Sequence, residues 1–214
     1  MTERLFVDMP DRIARLDRDA RGFPVPEFAM WFDDVPDFRV IKPGYVRRCI
    51  SKNKCWICGE RLGVHKAFVI GPMCCINRIS AEPPSHRDCA LFAAKNCPFL
   101  SMPLARRNDR DLPVERSAPG KMILRNPGVC AVWMTRDYDV MRVENGILLS
   151  IGDPELIEFY AQGRIATRAE VDHSISTGLP FLEEEAREEG PDAVRGLARA
   201  RQRFEPLLNS AVMS

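Results

Sequence analysis

The stretch CWICGE at positions 55–60 decides how this sequence is read. Cys55 and Cys58 lie three positions apart and Gly59 follows them. This spacing is typical of a zinc knuckle, in which a tight turn directs two thiolates at one metal ion and glycine relieves the turn. The pattern alone is only moderately specific, so the residues that follow it matter.

A second stretch, EPPSHRDCALFAAKNC at positions 82–97, predicts a helix that begins near a histidine and a cysteine. Ser85 is a typical N-cap residue, and Asp88 stands where a capping box places its acid. His86 and Cys89 lie three positions apart, so they share one face of the first helical turn. A helix N-terminus also favours a thiolate, the form of cysteine that binds zinc.

Between these stretches, residues 67–71 and 74–80 predict a short hairpin across Gly71 and Pro72. The order of knuckle, hairpin and ligand-bearing helix resembles the treble-clef zinc finger over about residues 53–97. The resemblance implies one Zn²⁺ ion and a structural role, because four protein ligands close a tetrahedral site. The ligands that it implies are Cys55, Cys58, His86 and Cys89.

Other cysteines remain alternatives, because 27 residues separate Cys58 from His86. Cys97 would replace His86 if the helix bends, and Cys74 is a second alternative ligand. The remaining cysteines lack a partner at ligand spacing and are predicted to be buried core thiols: Cys49, Cys75 and Cys130. A core role for all eight cysteines is the alternative to metal binding.

The longer run CWICGERLG…AFVIGPMC…NRISAEPPSHRDCA…CPFL also resembles an uncharacterised bacterial and phage-associated protein family. That resemblance implies relatives of nearly the same length and a zinc-binding label. It implies no activity.

Charge is distributed unevenly, although the net charge of the 214 residues is only +1. Residues 39–125 carry 17 basic and 6 acidic side chains, whereas residues 126–214 carry 9 and 15. The basic third predicts a surface for a polyanion; neutralisation by the acidic parts within one fold is the alternative. The predicted nucleic-acid contacts surround the knuckle: Arg47, Arg48, Lys52, Lys54, Arg61 and Lys66, with Arg106, Arg107 and Arg110 further along.

The leading functional hypothesis is a non-enzymatic zinc module that binds nucleic acid through these cations. Trp56 would then either stack on a base or pack beneath the knuckle. The first alternative is a protein-binding adaptor or phage-type modulator of host machinery, in which zinc is structural and the acidic C-terminal part makes the contact.

The second alternative is a His-Asn-His nuclease, with His65 activating water, Asn77 orienting the loop and His86 holding a divalent cation. His65 lacks a preceding acidic neighbour, and His86 cannot serve two metal ions. The sequence contains no Walker loop, dinucleotide fingerprint or Gly-x-Ser-x-Gly elbow, so no organic cofactor is expected. The absence of a signal peptide or long apolar run predicts a cytoplasmic protein without a membrane partner.

The fold class predicted is α+β, with a zinc-binding region at 1–110 packed on a second region at 111–214. Strands are predicted at 27–32 and 37–41, a helix at 43–52, and a linker at 98–127. An antiparallel three-strand meander is predicted over 129–136, 139–144 and 147–152, with Asn145-Gly146 as a hairpin turn. C-terminal helices are predicted at 154–162, from Thr167, at 180–189 and at 192–208.

Overall fold

A computed structural model describes residues 6–101 and 126–214. Helices and antiparallel sheets both occur, so the α+β prediction is confirmed. The elements in chain order are α1 (Asp11–Ala14), β1 (Ala29–Phe32), β2 (Val35–Ile41), α2 (Tyr45–Lys52), β3 (Lys66–Ile70), α3 (Pro72–Asn77), β4 (Ile79–Ser80), α4 (Arg87–Asn96), α5 (Pro98–Ser101), β5 (Cys130–Thr135), β6 (Tyr138–Val143), β7 (Gly146–Ile151), β8 (Leu156–Ala161), β9 (Arg164–Ile165), α6 (Arg168–Glu189) and α7 (Pro191–Ser210).

The central sheet has four strands in the order β3-β5-β8-β9. On one face, Phe68, Trp133 and Phe159 pack with residues of α3, α6 and α7. On the other face, Val132 and Tyr160 pack against the alanines of α4. Helices therefore cover both faces of this sheet, which explains why all six residues of β5 are buried.

The predicted meander is correct only in part. The β6–β7 hairpin forms, but Val143 pairs with Gly146, so its turn is Glu144-Asn145 rather than Asn145-Gly146. Strand β5 does not join this hairpin, because both of its edges are used by β3 and β8 in the central sheet. The third strand is β4, whose Ile79 pairs with Ser150.

The helix predicted at 154–162 is wrong, since this segment forms β8. Ile157 and Phe159 face one core while Tyr160 faces the other, and only a strand places alternate residues in two cores. Asp153, just before the segment, accepts a hydrogen bond from Arg78 at 2.7 Å.

The hairpin predicted at 67–71 and 74–80 is also wrong beyond its first strand. Pro72 begins helix α3, where its fixed φ and missing N–H suit the first helical position. Further along, α6 runs unbroken through Gly178 and Pro180, although a break was predicted there. Its buried residues pack against α3 and α7, and this tertiary contact outweighs the local helix-breaking tendency.

The N-terminal elements agree with the sequence: β1 and β2 pair as a hairpin, and α2 follows them. The predicted division at 110/111 and most of the 98–127 linker lie outside the described residues. The same holds for Arg106, Arg107 and Arg110. Strand β3, from before that division, pairs with β5, from after it. Within the described ranges, every helix is too short or too polar to cross a bilayer.

Candidate metal centre

The first two cysteines lie in a tight loop closed by backbone hydrogen bonds. The Cys55 amide donates to the Glu60 carbonyl at 2.7 Å, and the Gly59 amide donates to the Cys55 carbonyl at 3.0 Å. Gly59 has φ +72°, a conformation in which glycine carries no side-chain penalty. The amide of Cys58 also points at the Cys55 sulfur, 3.4 Å away, as expected of a metal-binding knuckle.

The other two ligands are held at the start of α4. His86 is the N-cap residue of this helix, and Cys89 is buried in its first turn. Ser85, predicted as the N-cap, instead pairs in antiparallel fashion with Ala67 of β3 through two backbone hydrogen bonds. This pairing fixes the helix start against the central sheet, so the predicted capping box does not form.

The four side chains converge on one point. The ligand atoms of Cys55, Cys58, His86 and Cys89 all lie within 4.8 Å of one another. His86 Nδ1 is 3.4 Å from Cys58 Sγ and 3.9 Å from Cys89 Sγ. The prediction that these two sequence pairs meet is therefore confirmed, and the group is able to hold a metal ion.

The protein fixes the orientation of the His86 ring. Its Nε2 lies 3.1 Å from the Arg61 carbonyl oxygen. A carbonyl only accepts, so Nε2 carries a proton, and Nδ1 is the ring nitrogen that faces the three sulfurs. A hydrogen bond of this kind on the remote nitrogen is the usual support of a metal-bound histidine. No sequence pattern predicts this contact, because the acceptor is a backbone atom.

The four groups also influence one another electrostatically. Hydrogen bonds to Cys55 and Cys58 raise the pKa of His86 to about 10. Burial acts to raise the pKa of Cys55, but hydrogen bonds from Cys58, Cys89 and His86 outweigh it and lower that pKa. Hydrogen bonds to Cys55 and Cys58 raise the pKa of Cys89. Negative charges on neighbouring sulfurs repel one another, so it is unfavourable for all three thiols to ionise together. A divalent cation between them would relieve this repulsion.

The alternative ligands lie elsewhere. Cys97 follows the last turn of α4, and Cys74 lies on α3. Neither belongs to the convergent group, which is the one metal-ligating cluster among the described residues. Burial raises the pKa of both thiols. The predicted core cysteines are buried, as expected: Cys49, Cys75 and Cys130.

The predicted nucleic-acid contacts fall into two sets. Lys54 Nζ donates to the Gly59 carbonyl at 2.8 Å, and Lys66 Nζ donates to the carbonyls of Val64 and Arg136. These two lysines therefore support loops of the protein itself. The other four are exposed and form no ion pair with any described residue; together they are called the basic surface: Arg47, Arg48, Lys52 and Arg61.

Trp56 lies inside the protein, with 3% of its surface exposed. Its ring stacks on Phe28 with centroids 4.7 Å apart and planes 10° apart, and it also contacts Tyr45. Of the two roles considered for Trp56, packing is the one observed, and stacking on a base is not possible from this position.

The two histidines of the nuclease hypothesis are bound to different partners. His65 Nδ1 lies 2.6 Å from Glu155 Oε2, and Glu155 Oε1 also binds Arg136. Asn77 is exposed at the end of α3. His86 directs Nδ1 at the cysteines and Nε2 at Arg61, so neither ring nitrogen is free for a second cation.

Comparisons with known proteins identify no relative. No protein-family model, curated protein or solved structure matches this chain. The function is therefore inferred from the geometry of the site.

Proposed function

We propose that Cys55, Cys58, His86 and Cys89 bind one Zn²⁺ ion that stabilises the fold. The convergence of these four ligand atoms carries the proposal. Three thiolates and one imidazole form a donor set typical of structural zinc. The two Nδ1–Sγ distances, 3.4 and 3.9 Å, bracket the separation of about 3.6 Å expected for a tetrahedron with ordinary Zn–S and Zn–N bonds.

The ion would join the knuckle to the start of α4, as in a treble clef. The knuckle followed later by a ligand-bearing helix supports this interpretation. The segment between the knuckle and α4 differs from a treble clef, because β3 is followed by α3 rather than by a full hairpin.

Metal analysis of the purified full-length chain tests the zinc proposal. We expect one tightly held zinc per chain in the wild type and none in Cys58→Ser, because three ligands leave the site open to water. Cys97→Ser is the matched control and should retain the metal, since Cys97 lies outside the group. A wild-type protein that is folded and metal-free would overturn the proposal.

The function that this site supports best is nucleic-acid binding through the basic surface. A cation cluster without carboxylate partners attracts phosphates, because association releases the counterions condensed on the nucleic acid. Arg47, Arg48 and Lys52 are exposed residues of α2, a helix that is anchored to the knuckle by buried Tyr45 and Cys49.

The proposed zinc site and the basic surface are physically joined. Lys54 and Arg61 face each other as an antiparallel bridge across the knuckle, and the Arg61 carbonyl accepts from His86. The Leu62 amide donates to the Asn53 carbonyl, which ties Arg61 to the end of α2. Loss of the ion is therefore expected to disorder Arg61 relative to α2.

Fluorescence anisotropy with mixed-sequence DNA and RNA at 50 mM salt tests this function. We expect binding by the zinc-loaded wild type and a loss of about tenfold or more in Arg48→Glu/Lys52→Glu, which reverses two charges. Arg199→Glu changes an exposed arginine on α7 and should bind like the wild type. If no nucleic acid binds while the protein is folded and zinc-loaded, the function is wrong, and the protein-binding adaptor becomes the better hypothesis.

A further inference from the structure

We propose that the basic surface binds double-stranded nucleic acid by its phosphate backbone, in preference to single strands and with little regard to sequence. This inference rests on the proposed function and names the class of nucleic acid. Three features carry it: the placement of the aromatic residues, the exposed cations on and beside α2, and the charge of residues 126–214.

The aromatic side chains around the knuckle are not available to bases. Trp56 and Tyr45 are each only 3% exposed, and Phe28 is stacked on Trp56. Binding of single strands relies on unstacked bases that lie on aromatic rings. The exposed phenylalanines among the described residues lie on β1, α5 and α6, not on α2 or the knuckle: Phe32, Phe99 and Phe181. A single strand would therefore gain phosphate contacts here but no stacking.

The exposed cations lie on α2 and beside its C-terminal end. Helix α2 has eight residues, which corresponds to a length of about 12 Å, and Arg48 and Lys52 share one of its faces at i, i+4 spacing. Arg61 lies near the helix end, because its backbone is paired with that of Lys54. A duplex carries one charge per about 1.7 Å of axis, twice the density of either strand alone, so it brings more phosphates within reach of the basic surface.

The same helix lacks the residue types that read adenine and cytosine. Its sequence, YVRRCISK, contains no Asn, Gln, Asp or Glu, and its arginines and lysine are able to bind either guanine or phosphate. Its exposed cations are suited to phosphates, which position a protein without specifying sequence. We therefore expect the affinity to change little when the bases are permuted.

The acidic C-terminal part of the chain disfavours docking of a duplex on its surface. Residues 126–214 carry 9 basic and 15 acidic side chains, so this part repels phosphates. Several of its arginines are also neutralised by carboxylates, as in the Arg164–Glu170 and Arg168–Asp172 pairs. A duplex is thus expected to approach from the side of α2 and the knuckle.

The test compares four labelled 20-mers with the full-length, zinc-loaded protein: duplex DNA, duplex RNA and the single strand of each. We expect both duplexes to bind about fivefold or more tightly than their single strands, because the duplex has the higher phosphate density. A permuted duplex of the same composition should bind within about threefold, the effect expected of phosphate contacts alone. For duplex DNA, four contacts predict a log–log salt slope of about −3.6, or about a 100-fold loss from 50 to 200 mM salt.

Single substitutions locate the contacts. Arg47→Gln and Lys52→Gln should each make the salt slope for duplex DNA shallower by about 0.9. Arg199→Gln, on α7, is the matched control and should leave the slope unchanged. Zinc content and thermal stability are measured for each variant, so that a loss of fold is not mistaken for a loss of contact.

The outcomes separate this inference from the function on which it rests. Equal or tighter binding of single strands, or a strong preference for one duplex sequence, would overturn the inference and leave nucleic-acid binding in place. Failure of every nucleic acid to bind would overturn both. A wild-type slope that Arg47→Gln and Lys52→Gln leave unchanged would show that the duplex docks on another surface.

Discussion

At the scale of single residues, spacing was enough to identify the four side chains that converge as a candidate metal site. Cys55 and Cys58 are paired by the knuckle, and His86 and Cys89 by one helical turn, so each pair is local in sequence. Residue spacing could not predict the environment of each side chain. Lys54 and Lys66 were indistinguishable from Arg47 in the sequence, yet their amines are bound to carbonyls of the protein. Such contacts depend on loop geometry and leave no local pattern.

Gly59 illustrates how strongly one residue constrains the knuckle. In Gly59→Ala, the new methyl group would lie 2.8 Å from Cγ of Glu27, and the residue would keep φ near +72°. We expect a loss of about 1–2 kcal/mol in the free energy of unfolding and weaker zinc binding, because alanine disfavours this conformation. Chemical denaturation and competition with a zinc chelator measure the two effects.

Gly63→Ala is the matched control for that substitution. Gly63 lies just after the knuckle, and a methyl group there would meet no atom within 4 Å. Its stability should stay within about 0.5 kcal/mol of the wild type, as for most surface changes. If the free energy of unfolding fell equally in the two variants, the conformation of Gly59 would not be the cause of the loss.

At the scale of elements, local sequence patterns predicted several helices and strands correctly but misassigned β8. The hairpin of β1 and β2, helix α2 and helix α4 were all anticipated from local patterns. Strand β8 was not, because an apolar segment buried on both faces shows neither helical nor alternating periodicity. The turn Gln162-Gly163 that follows it, with positive φ at both residues, was the signal that could have corrected the interpretation.

The N-terminus of α6 gives a pH-dependent prediction. Thr167 and Glu170 form a capping box, and Arg164 binds the Glu170 carboxylate at 2.7 Å. The hydrogen bonds from Arg164 and from the Thr167 amide lower the pKa of Glu170 to about 2. The folded state therefore favours the ionised form. The contribution of ionised Glu170 to the stability of the fold is complete above the ordinary pKa of about 4.5. This contribution disappears as the pH falls towards 2.

Glu170→Gln removes this charge and keeps the shape of the side chain. We expect the variant to be less stable than the wild type by about 1 kcal/mol at pH 7, since the group is partly exposed to solvent. Urea denaturation between pH 7 and pH 2 should show the difference shrinking below about pH 4.5. Glu184→Gln, an exposed change on the same helix, should show no such trend. If the difference in stability between the wild type and Glu170→Gln stayed the same at pH 2, the ionised carboxylate would not be its cause.

At the scale of the whole molecule, the sequence identified the fold class but not which strands are neighbours. Strands adjacent in sequence were assumed to pair, as they usually do. Here β3 pairs with β5 across the intervening chain, and β4 pairs with β7. Such pairings are decided by which apolar faces fit together in the assembled core, and no window of sequence contains both partners.

The pairing of β3 with β5 has a consequence for the order of events during synthesis. All four metal-ligating residues and the Ala67–Ser85 pairing are present once residue 89 has been made, so the metal centre can assemble on a nascent chain. The other edge of β3, with Phe68 and Ile70 beside it, has no strand to receive it until residues 130–135 emerge from the ribosome. During that interval an apolar edge is open to other chains, and a metal-loaded knuckle would hold it in place while its partner is translated.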